Sequence, residues 1–74
     1  MSALHVKEAP GGTVIVVGIP SQETALQICE HFLTWGVKAK IGTDAGVSAY
    51  HVSVHRLGVD QVKDLLGHLG IEAD

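Results

Sequence analysis

Residues 13–21, TVIVVGIPS, place a strand directly before a helix and so set the order of elements for the rest of the chain. Residues 13–19 form an aliphatic run rich in β-branched side chains, and Pro20 ends it. A short run that carries apolar side chains on both faces is typical of a buried strand. Ser21 has the polar side chain that is preferred at a helix N-cap. The sequence therefore predicts a strand over residues 13–19 and a helix that begins after it.

Residues 21–35 have the spacing of an amphipathic helix, because apolar residues recur at intervals of three and four. Glu23 suits the positive end of the helix dipole, and Gly36 is a typical C-terminal stop. The apolar stripe that is predicted to face the core consists of Ala25, Leu26, Ile28, Cys29, Phe32 and Leu33.

Three further segments complete the pattern. Residues 37–42 and 48–56 alternate apolar with polar side chains, which indicates half-buried strands. The glycine-containing residues 42–46 predict the turn of a hairpin between them. Residues 59–69 return to helical spacing and predict a second helix.

The predicted core order is β-α-β-β-α. A strand–helix–strand crossover is right-handed, and the second strand of the hairpin fits between the two parallel strands. This order predicts the split βαβ arrangement of a ferredoxin-like α+β fold, with both helices on one face of an antiparallel or mixed sheet. Residues 1–74 are expected to form a single domain, in which residues 1–12 are an extra edge strand or a flexible leader and residues 70–74 are a tail.

Composition narrows the class of protein. The chain has 74 residues, of which 46% are hydrophobic, and its single cysteine, Cys29, excludes an internal disulfide and fits a reducing compartment. No apolar run approaches the roughly 18–20 residues that span a bilayer. The net charge is −3 and the lysines and arginines are scattered, without the basic patch typical of nucleic-acid-binding proteins. We therefore expect a cytoplasmic protein that contacts neither membrane nor nucleic acid.

The junction between the first strand and the first helix is the candidate ligand site. Gly18 would let a ligand approach the backbone. The free N–H groups at the helix N-terminus, around Ser21 and Gln22, favour an anion. The alternative is a capped turn that binds nothing.

The sheet face opposite the helices is the candidate contact surface. Along residues 13–19 one set of alternate aliphatic side chains must point outward, whichever register the strand adopts, and an aliphatic strip on a polar face can mark a contact site. The same strand is expected to be a free edge unless the N-terminal segment, the tail or a second subunit covers it. The candidate interface residues are Val14, Ile15, Val16, Val17, Lys38, Lys40, His51, Ser53 and His55.

The histidines and the cysteine do not assemble a reactive site. His51 and His55 share a strand face, but four strand residues span about 13 Å, too far for both to bind one metal through bonds of about 2 Å. A metal site would need His5 alongside one of them, or a second chain. Cys29 lies in the apolar stripe, and His31 points to a different helix face. We predict no catalytic residue, no metal, no cofactor and no enzyme activity.

Two groups of regulatory modules share features with this chain. The segments VIVVGIPSQETA (14–25) and WGVKAKIGT (35–43) resemble ACT-like amino-acid-binding domains. Where those domains carry an Asp-Arg-Pro-Gly type loop, this chain has IPSQ at residues 19–22. The chain also looks like the short putative signal-transducing proteins of prokaryotes and the similar cytosolic domains attached to rhomboid proteases. The residues that carry this second resemblance are Gly36, Val37, Ala39, Ile41 and Asp60.

Both resemblances imply regulation or binding. The sequence therefore predicts a small non-enzymatic interaction module that binds a protein partner, or a second copy as a homodimer, through its open sheet face and strand edge. Three alternatives stay open: a sensor of a small molecule (an amino acid or anion) at the first strand-to-helix loop, a histidine-mediated metal binder, and a phage- or plasmid-encoded inhibitor of a host protein.

Overall fold

The computed structural model describes residues 4–43 and 49–73. In it, both helices pack against one face of a four-stranded antiparallel sheet. The strands lie across the sheet in the order β1-β2-β4-β3. This small α+β arrangement is compatible with a ferredoxin-like fold. Neither helix in the described part of the chain is long and apolar enough to cross a membrane. The elements are β1 (His5–Ala9), β2 (Thr13–Ile19), α1 (Gln22–Thr34), β3 (Ala39–Thr43), β4 (Tyr50–His55) and α2 (Val59–His68).

The N-terminal segment covers the strand that the sequence left as a possible free edge. The strand edge expected along residues 13–19 does not exist, because β2 lies between β1 and β4. The N-terminal segment forms β1 and pairs with β2 from His5 to Ala9. Beyond β1, Ala73 of the tail makes a parallel bridge with Leu4. The predicted turn residues 44–46 lie outside the described residues.

A β-bulge near the end of β2 changes the phase of its side chains. Val16 lies opposite Val52, but the next paired residue of β2 is Ile19, opposite Tyr50. Two residues of β2, Val17 and Gly18, therefore lie opposite one residue of β4, His51, and Gly18 takes a left-handed backbone conformation with φ of 82°. Because of this extra residue, both Val16 and Ile19 are fully buried, although strict alternation would place them on opposite faces.

Both helices end in the same way. Gly36, with φ of 78°, follows α1, and Gly70, with φ of 76°, follows α2. After α1, the N–H of Val37 donates to the carbonyl of Phe32 at 2.9 Å. After α2, the N–H of Ile71 donates to the carbonyl of Leu66 at 3.0 Å. These are Schellman motifs, which satisfy carbonyl groups that the helix itself leaves unpaired.

The face of α1 that is buried in the core is narrower than the predicted apolar stripe. Leu26 and Leu33 belong to the predicted stripe, but they are 47% and 63% exposed. Cys29 is half-buried and packs at the margin of the core. One shoulder of α1 therefore carries apolar side chains that the fold does not bury. The buried residues are Leu4, Val6, Val14, Val16, Ile19, Ala25, Ile28, Phe32, Val52, Val54, Val62 and Leu66.

A pair of glycine substitutions tests the bulge. We expect Gly18→Ala to lower the free energy of unfolding by about 1–2 kcal/mol, because a side chain in the left-handed conformation is strained. Gly67→Ala is the control: Gly67 lies within α2, and an added Cβ meets nothing within 4 Å. It should raise the free energy of unfolding by about 0.5–1 kcal/mol. Urea denaturation measures both, and a stabilising Gly18→Ala would contradict the bulge.

Candidate functional site

At the strand positions that the structure describes, only basic side chains supply charge to the sheet face that is turned away from the helices. Residues directly opposite in an antiparallel pair share a face. Lys7 lies opposite Ile15, Ile15 opposite Ser53, and Ser53 opposite Lys40. One row thus crosses all four strands, with a lysine at each end. The register places these further residues on the same face: His5, Ala9, Thr13, Val17, Gly42, His51 and His55.

None of these open-face strand positions is an aspartate or glutamate. Glu8 of β1 lies opposite Val14, which is buried against the helices, so its side chain starts from the other face. Glu72 belongs to the tail after α2. Charge is thus separated across the domain, although the whole chain has a net charge of −3. The other carboxylates of the described residues lie on the helices: Glu23, Glu30, Asp60 and Asp64.

The register decides which aliphatic pair of β2 faces outward. Val14 and Val16 are buried in the core, so neither belongs to the candidate surface. Ile15 and Val17 lie on the open face and are half-buried. The aliphatic strip therefore exists in the centre of the sheet, and neighbouring side chains cover part of it.

Two histidine rings lie against the open face. Nδ1 of His55 and Oγ1 of Thr13, directly opposite in the register, are hydrogen-bonded at 3.0 Å. A Cβ added to Gly42 would lie 2.5 Å from Nε2 of His51, so the His51 ring covers that glycine. Lys38 is exposed one residue before β3. The predicted interface residues of β3 and β4 thus gather on one surface.

A groove between α1 and β3 is a feature that the sequence did not indicate. Its volume is about 360 Å³. Leu33 forms part of its wall, and β3 forms the edge of the sheet beside it. In residues 4–43 and 49–73, β3 pairs only with β4. The residues that line the groove are Cys29, Glu30, Leu33, Lys38, Ala39 and Lys40.

The candidate ligand loop has local structural roles. Gly18 supplies the left-handed residue of the bulge. The Ser21 hydroxyl accepts a hydrogen bond from the Thr24 N–H at 3.2 Å and lies 2.9 Å from the Thr24 hydroxyl. Gln22 is the exposed first residue of α1. These contacts are those of a capped turn, and binding of an anion there stays a prediction.

An aromatic cluster joins the ends of the two helices. Trp35 is 57% exposed, and its ring stacks on His68 with centroids 5.5 Å apart. The His31 ring meets Trp35 edge-on at 6.4 Å. The spacing of His31 and Trp35 in sequence predicts their contact on one helix face, but no local pattern brings in His68. Within the described residues, no three ligating side chains gather to hold a metal ion.

No protein-family model, curated protein or solved structure matches this chain. The resemblance to ACT-like domains and to prokaryotic signal-transducing proteins therefore stays a prediction.

The thiol of Cys29 is expected to react more slowly in the folded protein than in the unfolded chain. Burial raises the pKa of the Cys29 thiol above its ordinary value, and the thiolate is the reactive form. We expect iodoacetamide to modify Cys29 more slowly in the folded protein than in urea-unfolded protein at the same pH. In the unfolded chain the Cys29 thiol loses its proton at a lower pH than in the folded chain. The free energy of unfolding therefore falls as the pH rises into the alkaline range. Equal alkylation rates in both states would contradict this.

Gly42→Ala tests how His51 lies on the sheet. The added methyl group should displace the His51 ring, because the two would otherwise overlap. We expect the His51 imidazole signals to move in NMR spectra while those of His68 stay in place. The loss of unfolding free energy should stay below about 1 kcal/mol, since a terminal ring can rotate to another rotamer. Unchanged His51 signals would show that the ring does not cover Gly42.

Proposed function

We propose that this chain is a small non-enzymatic binding module, built on a ferredoxin-like split βαβ frame, that docks an acidic surface of a partner protein on its open sheet face. The separation of charge supports this: the open face has lysines and histidines and no carboxylate at its strand positions, while four of the six carboxylates of the described residues lie on the helices. In a chain whose net charge is −3, such a face is not a consequence of overall composition.

The row across the sheet has the layout of a small contact surface. Lys7 and Lys40 stand at its ends, three strand spacings or about 14 Å apart. Ile15 and Ser53 lie between them. An apolar centre with a charged rim is the usual arrangement of a protein interface. Complementary charge at the rim steers the partner in and fixes its register.

Charge also favours a different protein over a second copy. Two open faces placed together would bring like charges into contact, which opposes a symmetric homodimer. The acidic helix side of a second copy is complementary, but such a contact joins unlike surfaces and builds open chains unless it closes into a ring. An inhibitor of a host protein, encoded by a phage or plasmid, would use this surface in the same way.

Nucleic acid fits this face less well than protein. Single strands bind on aromatic platforms, where bases stack. The strand positions of the open face carry no Phe, Tyr or Trp. Tyr50 lies opposite Ile19, which is buried against the helices, and Trp35 stacks on His68.

Charge reversal at two matched lysines tests the proposal. Lys7→Glu changes the open face, whereas Lys63→Glu makes the same change of net charge on exposed α2. A partner captured from a lysate of the native host should bind Lys7→Glu about tenfold more weakly, and Lys63→Glu within about twofold of wild type. Rising salt should weaken the wild-type complex. Equal loss in both variants would point to net charge alone and contradict the proposal.

Two further measurements exclude the competing occupants. Light scattering over a dilution series near neutral pH should give a constant monomer mass, and growth of the mass with concentration would show that a second copy occupies the surface. A fluorescent single-stranded RNA should show no rise in anisotropy at low salt. Saturable binding of that RNA, lost in the Lys7→Glu variant, would replace the protein partner with nucleic acid.

A further inference from the structure

We propose that the groove between α1 and β3 receives an extended segment of a partner protein as a fifth strand of the sheet, and that this segment alternates apolar and acidic side chains. This binding mode goes beyond the docking of a partner on the open face, because it uses the edge of the sheet and the shoulder of α1. The proposal rests on the free edge, the apolar wall and the placement of charge along the groove.

The edge of β3 is available for pairing. In the described part of the chain, β3 pairs on its inner side with β4 and with no other strand. The outer side of such a strand presents a row of backbone donors and acceptors. Peptides are recognised by adding a strand to an edge of this kind, with affinity from main-chain hydrogen bonds and specificity from side-chain pockets.

The wall of the groove is apolar on the helix side. Leu33 is 63% exposed, and Cys29, one helical turn earlier, is half-buried beside it. Ala39 and Ile41 lie opposite the buried Val54 and Val52, so they face the helices. Residues of an added strand that pair with Ala39 and Ile41 would also point to the helix side. Their side chains would then cover Leu33, so apolar residues are expected at these positions.

The alternate residues of the segment meet the opposite charge. Lys40 lies on the open face, opposite Ser53, and exposed Lys38 precedes it. A residue of the added strand beside Lys40 would share its face, where a carboxylate is favoured. Glu30 lines the helix side of the groove and disfavours an acid there. The helix side of the groove therefore favours apolar residues and the open face favours acidic residues, so the two kinds of residue alternate along the bound segment.

The same lysines argue against a second copy at this edge. Antiparallel pairing of two β3 strands would place Lys38 and Lys40 of one copy among those of the other. Like charges on facing strands are destabilising, and lysine on an edge strand is a known obstacle to pairing between copies. The occupant that fits is a segment of a different protein that brings the acids.

Peptide titrations followed by amide NMR of ¹⁵N-labelled protein test the inference. The probes are a blocked octapeptide that alternates valine and glutamate, and the same peptide with lysine for glutamate. We expect the glutamate peptide to cause saturable shifts in β3 and around Leu33, and the lysine peptide to bind at least about tenfold more weakly. Shifts of equal size and midpoint with both peptides would overturn the alternation of charge.

Backbone methylation tests whether the segment binds as a strand. Alternate N–H groups of a strand point to opposite sides, so only one set reaches β3. Two analogues of the glutamate peptide carry N-methyl groups on the valines or on the glutamates. One analogue should lose binding and the other should keep it. Retention of binding by both analogues, or loss by both, would overturn strand addition.

Matched leucine variants locate the site. Leu33→Ala removes an apolar part of the groove wall, and Leu69→Ala removes a leucine that is 38% exposed at the end of α2. Both are surface changes, so both variants should fold. We expect at least about fivefold weaker peptide binding for Leu33→Ala and less than about twofold for Leu69→Ala. Equal effects would overturn the assignment.

The outcome is separable from that of the open face. Lys7 is on β1, at the opposite edge of the sheet, so Lys7→Glu should change peptide binding by less than about twofold. Peptide binding that survives Lys7→Glu supports the groove whatever the partner does on the open face. If the β3 signals move with protein concentration in the absence of peptide, a second copy occupies the edge and the inference fails.

Discussion

The phase of β2 governs the rest of the structure. It is the longest strand, and it lies between β1 and β4. The left-handed Gly18 inserts one residue into the ladder, and this lets Val16 and Ile19 point to the same side. Without the insertion, the last residue of the strand would face away from the helices and the chain would enter α1 from the wrong side of the sheet. The bulge thus joins the buried half of the strand to the start of the helix.

Local patterns were sufficient for most of the elements. Ser21, Gly36 and Gly70 mark helix ends through interactions within a single helical turn. Ser21 caps the start of α1, and the two glycines take the left-handed conformation that ends each helix. The alternation of residues 37–42 and 48–56 identified β3 and β4 because period-two burial is a property of a single strand. The boundaries moved by one or two residues, as is normal for frayed ends.

The sequence could not show which elements lie next to one another in the fold. Whether β2 is an edge strand depends on whether the N-terminal segment pairs with it, and a five-residue strand next to a proline and two glycines carries too weak a pattern to decide that. The same limit applies to Leu26 and Leu33, which fit the apolar stripe of α1 but lie on its exposed shoulder. Charge separation was hidden for a related reason. Lys7 and Lys40 are far apart in sequence, and only the order and register of the strands put them in one row.

The stacking of Trp35 on His68 makes the intrinsic tryptophan fluorescence of the protein sensitive to the contact between these two rings. Trp35 is the only tryptophan, it follows α1, and the ring it touches ends α2. The buried core of the sheet is elsewhere, so the indole emission reports the junction between the helices and not the interior. An opening that detaches α2 while the β2–β4 ladder stays paired would alter the emission before the far-ultraviolet circular dichroism of the sheet changes. Partial and global unfolding of this domain can thus be separated spectroscopically without adding a label.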